Sequence, residues 1–445
     1  MFSWFRSSYP VDFKHKVWIE HRLRFLSERL GLDRIPISDV VIPTAEAIPE
    51  LAPGRLPDIE SLTQRLCDRL QIPREGLTVR VVKELPVGEA VGVYRHVDRE
   101  IQLLSSLLGD PARLLSTLIH ELLHDLLLCR GILTGNEPDH EPLTDLSACL
   151  LGCGIPLANA TFRSASWSDG TFSWSESSRV GYLSSPEFGY ALALCCWVEE
   201  FETPPSWSCY LRLDAREPLK KGLRFLNQTR DSVFRRESTG AIHRPSPEFL
   251  TNSLTHGTDT EILSALWDFG NAEQSFDPSR VNDLLGHKEA EIRRAACELF
   301  AKRPAGEITH DPLWSATTDR DPLTRATAVQ AFARSHPKYG VLERVLQRAM
   351  QESDGHVVSA ALAVLLDSTV WNLEIENLAL DACVNASRHL LNVNLGFLMQ
   401  VLVEKTDNLE QKIRNRLSDP TSMYELSEAL KELRTALKNV PAVPK

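Results

Sequence analysis

Thr117-Leu118-Ile119-His120-Glu121-Leu122-Leu123-His124-Asp125-Leu126 is the stretch on which the reading of this chain turns. Residues four apart on an α-helix share a face, so the imidazoles of His120 and His124 can reach one ion. Glu121 is then held beside the coordination position where an ion-bound water would sit. Around the motif, Leu114, Leu115, Leu118, Ile119, Leu122, Leu123, Leu126 and Leu127 make a thickly apolar helix that requires burial in a core. Asp110-Pro111 forms its start and Gly131 its stop. A buried helix does not turn two histidines and a glutamate inward unless something satisfies them.

A site of this kind needs a third ligand from another element. The next acidic cluster, Asp139-His140-Glu141-Pro142-Leu143-Thr144-Asp145, opens a second apolar helix that runs through Leu146, Ala148, Leu150 and Leu151 to Gly154, and it offers Glu141 and Asp145 at i and i+4. With that pair in place, residues 75–155 resemble the gluzincin metallopeptidases, the thermolysin-like zincins. The resemblance implies an α+β fold with a small mixed sheet and active-site helices, one Zn2+, and peptide-bond hydrolysis. Position by position it makes His120 and His124 the first two zinc ligands and Glu121 the general base. Glu141 becomes the third ligand, and Asp145 the carboxylate that orients a zinc-bound histidine from behind. Pro142 complicates the match, because a proline directly after Glu141 favours placing that residue at the N-cap. Asp145, or His140, is then the alternative ligand.

Upstream, residues 12–31 read as an amphipathic helix ended by Gly31, Val40-Val41-Ile42-Pro43 as a short strand, residues 57–70 as a second helix, and Leu77 to Val82 as a β-branched strand. Residues 90–96 and 101–104 flank Val97-Asp98-Arg99-Glu100 as a hairpin. In the metallopeptidases that this order resembles, the exposed hairpin edge pairs with extended peptide substrate. Tyr94 and His96 are extra candidates for the site, although a polar hairpin face is the blander and preferred explanation. The serine- and tryptophan-rich stretch 162–178 reads as a long loop, and residues 186–201 as a helix. Tyr182 and Tyr190 are the nearest candidates for the oxyanion-stabilising residue that the resemblance implies. Cys149 and Cys153 stand one turn apart but fit a small apolar core better than a thiolate site.

Beyond a connector at residues 228–258 the pattern changes. Residues 291–300 align with 323–332 at an offset of 32, and 357–366 follow at 34, each preceded by a short polar turn. Alanines that permit close helix contact complete a pattern similar to HEAT-like repeats, two helices per unit stacked into a solenoid. Thr260 to Phe269 reads as a degenerate first unit. Three parts follow: a zincin-like domain at 1–227, a linker at 228–258, and an all-α HEAT-like solenoid at 259–445.

Composition narrows the rest. In 445 residues, 43% hydrophobic and 24% charged content is that of a globular protein with two or three cores. A net charge of -11 argues against a nucleic-acid surface. The start, Met1-Phe2-Ser3-Trp4-Phe5-Arg6, lacks the apolar run of a signal peptide, and no 18-residue uncharged apolar stretch suggests a membrane span. Nine cysteines, mostly inside apolar runs, suit reduced thiols and a cytoplasmic setting. The expectation is a cytoplasmic zinc metallopeptidase acting on a protein or peptide substrate, with a protein partner on the repeats. The rivals are a scaffold whose zincin half is inactive, and a regulatory protease that cleaves one cytoplasmic protein.

Overall fold

The computed structural model describes residues 9–32, 40–52, 56–85, 91–134, 137, 139–168, 173–179, 182–234, 245–271, 275–302, 310–335, 339–387, 391, 393 and 395–416. Its contacts divide the chain into Met1–Pro245 and Ser246–Lys445. Within the expected connector, residues 228–229 end one helix and residues 247–256 form another, and residues 235–244 lie outside those described. Among the described residues the fold is mostly helical, with one small mixed sheet, and no helix is long and apolar enough to cross a membrane.

The first unit opens with α1 (Phe13–Leu30), capped by Asp12 and closed by Gly31 in the left-handed region, followed by α2 (Ile59–Leu70). Strands β1 (Thr78–Val82), β2 (Gly92–Arg95) and β3 (Glu100–Leu104) form a sheet of order β1-β3-β2, with β3 parallel to β1 and antiparallel to β2. The expected hairpin is therefore present, and Ala90 lies outside the described residues. The expected strand at Val40–Pro43 is absent: Val41 makes one bond, its N–H donating to the Gly152 carbonyl at 2.7 Å, and Pro43 has no N–H with which to build a ladder.

The sheet leads into α3 (Pro111–Cys129), then α4 (His140–Leu150) and α5 (Gly154–Ala160). Next come β4 (Phe162–Ser168) and β5 (Ser173–Arg179), an antiparallel pair where a long loop was expected. The error lies in composition: serine reads as loop, yet Ser164, Ser166 and Ser168 recur with the period of two that a strand requires. Helices α6 (Ser185–Val198) and α7 (Leu213–Thr229) complete the unit. They approach closely enough that a Cβ on Gly189 would stand 2.3 Å from the Ala215 carbonyl oxygen. One apolar core joins α1 to α7 and the inner face of the sheet.

A buried ionic knot fixes the end of this unit. Lys16 and Glu20, both fully buried on α1, pair at 2.9 Å. The Tyr190 hydroxyl donates to the same Glu20 oxygen, and the Val233 N–H donates to the other at 2.8 Å. Tyr190 is thus a core residue tied to α1, which corrects its candidacy for the oxyanion role.

The second unit is built from α8 (Pro247–His256), α9 (Asp259–Asn271), α10 (Pro278–Leu284), α11 (Ala290–Lys302), α12 (His310–Ala316), α13 (Pro322–Ser335), α14 (Tyr339–Met350), α15 (Gly355–Asp367), α16 (Leu373–Ser387), α17 (Leu395–Lys405) and α18 (Leu409–Arg416). The three stretches aligned from sequence fall in α11, α13 and α15, and α9, α11, α13, α15 and α17 each pack on the next. Two arginines one offset apart do the same work. Arg293 donates to the carbonyls of His287 and Lys288 in its own preceding turn and forks onto Asp319 in the next turn, with both bonds at 2.7 Å. Arg325 donates to the carbonyls of Asp319 and Arg320 and reaches Glu352 at 3.1 Å.

Arg293 and Asp319 are both largely buried, with side chains 5% and 10% exposed. Burial would raise the Asp319 carboxyl, but bonds from Arg293 and the Asp321 N–H outweigh it and hold the group below its ordinary value. Replacing Arg293 with alanine leaves that carboxylate without its counter-charge, and urea unfolding at neutral pH should register a loss of about 3 kcal/mol. A depressed carboxylate stabilises above its unfolded-state pKa and loses the effect as pH falls through its folded-state value. The gap between wild type and Arg293→Ala should therefore close in acid, and a gap independent of pH would show that the ion pair is not its source.

Candidate metal centre

Helix α3 carries His120, Glu121 and His124, and α4 packs on it and brings Glu141 and Asp145 against them. The Nε2 atoms of His120 and His124 lie 3.1 Å apart, and Glu141 Oε2 lies 3.1 Å from the first and 3.2 Å from the second. Among the described residues, these three form the group of His, Cys, Asp and Glu side chains able to hold a metal ion. Ligands around one tetrahedral ion, at bonds of about 2.0–2.1 Å, stand roughly 3.3 Å from one another, so the spacing fits. Two imidazoles and one carboxylate suit a divalent first-row ion.

The backs of both rings are held. Asp145 Oδ1 lies 2.9 Å from His120 Nδ1, and its Oδ2 accepts the backbone N–H groups of Tyr182 at 2.7 Å and Leu183 at 3.1 Å. Thr144 Oγ1, which donates to the His140 carbonyl, lies 3.4 Å from His124 Nδ1. With Nδ1 of each ring facing α4 from behind, both Nε2 atoms turn toward Glu141 and toward the point where an ion would sit. His140 Nε2 lies 3.3 Å from the other Glu141 oxygen and its Nδ1 lies 3.1 Å from the Glu137 carbonyl, so it sits at the rim.

Pro142 does not push Glu141 to the N-cap. Asp139 occupies the position before the helix and His140 opens it, which places Glu141 in the first turn. Proline at the third helical position sacrifices nothing, since the first four N–H groups have no intrahelical partner, and the first such bond runs from Leu143 to the Asp139 carbonyl. Asp139 is itself fixed by α1, accepting from Arg22 at 2.7 Å and from the Trp18 indole at 3.1 Å.

Burial would lower the basicity of His120, but its bonds to Asp145 and Glu141 outweigh that and leave it raised. Burial would raise Glu141, and bonds from His120 and His124 instead hold it far below the carboxylate range. Glu121 makes no comparable pair, so burial dominates and raises it, opposed by the two histidines and by the Tyr94 backbone N–H. A carboxylate raised in this way is the better proton acceptor.

Strand β2 runs beside Glu121. A Cβ on Gly92 would stand 2.5 Å from Thr117 Cγ2 and 2.8 Å from Glu121 Oε1, so only glycine leaves room for the carboxylate there. Because Leu104 N–H donates to the Val91 carbonyl, ladder alternation turns the backbone groups of Gly92 and Tyr94 away from β3, toward the outer edge. Tyr182 stacks on His120, with ring centroids 5.9 Å apart and planes 20° apart. His96 touches the Tyr94 ring, and Cys149 and Cys153 are buried apart from the donor group. The sequence reading missed Gly92, Thr144 and Asp125. A glycine opening a strand and an aspartate one turn after the motif glutamate were the signals available.

Comparison with protein families, curated proteins and solved structures found no match.

The geometry predicts one divalent ion per chain, read by elemental analysis of protein purified without chelator. His120→Ala and His124→Ala should abolish binding, whereas Asp145→Ala should weaken it by about 10- to 100-fold. Loss of the ion in Asp145→Ala but not in Glu141→Ala would transfer the ligand role to Asp145.

Proposed function

We propose that this chain is a zinc-dependent metallopeptidase of the gluzincin type. The observation that carries the reading is the convergence of His120 Nε2, His124 Nε2 and Glu141 Oε2 within 3.2 Å, beside a buried Glu121 and an open strand edge. His120, His124 and Glu141 would hold the zinc, and Asp145 would fix the His120 ring. Bound zinc supplies Lewis acidity, polarising the scissile carbonyl and lowering the pKa of its water to about 7.

Glu121 accepts the proton of the attacking water and hands it to the nitrogen of the leaving amine. An extended peptide adds to β2 through the outward backbone groups of Gly92 and the Tyr94 carbonyl, while the Tyr94 N–H stays on Glu121, which sets the scissile bond across that carboxylate. Tyr182, stacked on His120, is the nearer of the two tyrosines considered for the oxyanion.

The second unit supports a companion reading as HEAT-like repeats that hold a protein partner. Its support is the recurrence of Arg293 and Arg325 in equivalent roles and the packing of α11, α13 and α15 in succession. A cytoplasmic enzyme with one regulatory target is compatible with both readings.

Glu121→Gln separates the peptidase from a scaffold. The amide is isosteric and is not in the donor group, so fold and metal content should persist. Turnover should fall by roughly 10² to 10⁴, because an amide cannot take the water's proton. Wild-type and variant chains incubated with cell extract should differ in the new N-termini found by mass spectrometry. Identical termini from the two would leave the helical unit as the functional half.

A further inference from the structure

We propose that Asp125, Arg99 and Tyr94 form a positioning clamp that locks the edge strand β2 onto α3 beside Glu121, so that strand and carboxylate keep one separation as substrate binds. The clamp's role in catalysis rests on the peptidase reading; its mechanical part does not.

Asp125 directly follows His124 and lies one turn after Glu121, with its side chain 2% exposed. A buried carboxylate at the edge of a leucine-rich helix requires partners. Among the described residues, the hydrogen-bond partners it finds beyond its own helix come from the hairpin. Arg99 forks onto it, Nε to Oδ1 at 2.9 Å and Nη2 to Oδ2 at 2.7 Å, and the Tyr94 hydroxyl donates to Oδ1 at 2.7 Å. From its own helix, the Cys129 thiol approaches Oδ1 at 3.3 Å. Arg99 continues outward, donating to the carbonyls of Glu75 at 2.6 Å and Pro73 at 3.1 Å, and so ties the approach to β1 into the same knot. It does this from the left-handed region, at φ 47°, a conformation that a non-glycine residue holds only when its surroundings fix it.

The location gives the clamp its purpose. Among the described residues β2 pairs with β3 alone, so its outer side has no ladder to hold it. That outer side carries the backbone groups of Gly92 and Tyr94, and Gly92 sits where a single added carbon would strike Glu121. A drift of β2 toward α3 by the width of a methyl group would collide with the carboxylate, and a drift away would open a gap across the scissile bond. Tyr94 resists both movements: its hydroxyl is anchored one turn along α3 while its backbone lies against Glu121. Positional errors of this size are what catalysis tolerates least.

The test uses the full-length chain in three forms: wild type, Tyr94→Phe and Asp125→Asn. Tyr94→Phe keeps the ring and removes only the hydroxyl, which guards against an Asp125 variant that fails to fold. Hydrogen exchange followed by mass spectrometry should show residues 91–96 exchanging about 10-fold faster in the variants, with α3 protection and metal content unchanged. Unchanged protection of 91–96 overturns the clamp whether or not the chain is a peptidase. On a substrate cleaved by wild type, kcat should fall about 10-fold at constant KM, and Tyr94→Phe should cost nothing further in a Glu121→Gln background. Faster exchange with full kcat, or equal losses in both backgrounds, makes the contact structural and overturns positioning. A wild type with no Glu121-dependent cleavage sinks the peptidase reading instead and leaves the exchange result to decide the clamp.

Discussion

Helix α3 carries His120, Glu121, His124 and Asp125 into an apolar core, and each of those polar groups has to be met there by something other than water. This requirement organises the first unit. Asp145 and Thr144 of α4 meet the backs of the two histidines, and Glu141 meets their fronts. The β2–β3 hairpin meets Asp125 through Tyr94 and Arg99. Helix α1 enters one step removed, through Arg22 and Trp18 on Asp139, which fixes where α4 begins. Only Glu121 is left with weaker support, and the rise in its proton affinity follows from that difference.

The parts legible in the sequence are those set by short-range periodicity. The leucines flanking His120 announced a buried helix, the i and i+4 spacing announced which side chains share a face, and Val97-Asp98-Arg99-Glu100 announced a hairpin. What stayed hidden depends on partners distant along the chain. Asp125 looks like an ordinary charged residue until Arg99, 26 positions earlier, forks onto it. Asp145 reads as one of two acids until the amides of Tyr182 and Leu183 arrive from 37 and 38 positions later to claim its second oxygen. Composition misled at β4 and β5, where serine masked a strand period, and at Val41, where apolar residues suggested a ladder that has no partner strand.

In the second unit the constraint is backbone polarity at the turns. Helix ends leave carbonyls unpaired, and packing helix on helix covers the turns where they lie. Arg293 and Arg325 resolve this with one side chain each, capping carbonyls of their own turn and pairing with an acid of the next. The carbonyls that they cap stand at the same offset as the arginines, His287 and Lys288 for the first and Asp319 and Arg320 for the second. The third aligned stretch has Ser359 at the equivalent position, and the arginine ladder ends there.

The two acids of α4 also show how a helix start sorts carboxylates. Glu141 lies in the first turn, where unpaired N–H groups and the helix dipole favour negative charge, and where the side chain still reaches beyond the core. Asp145 lies one turn deeper, almost wholly buried, with one oxygen on His120 Nδ1 and the other on the amides of Tyr182 and Leu183. A short side chain at a buried position suits orientation, and a longer one at the helix entrance suits reaching across to two Nε2 atoms. The depth of each acid is measured from the start of α4, and that start is where Arg22 and Trp18 hold Asp139.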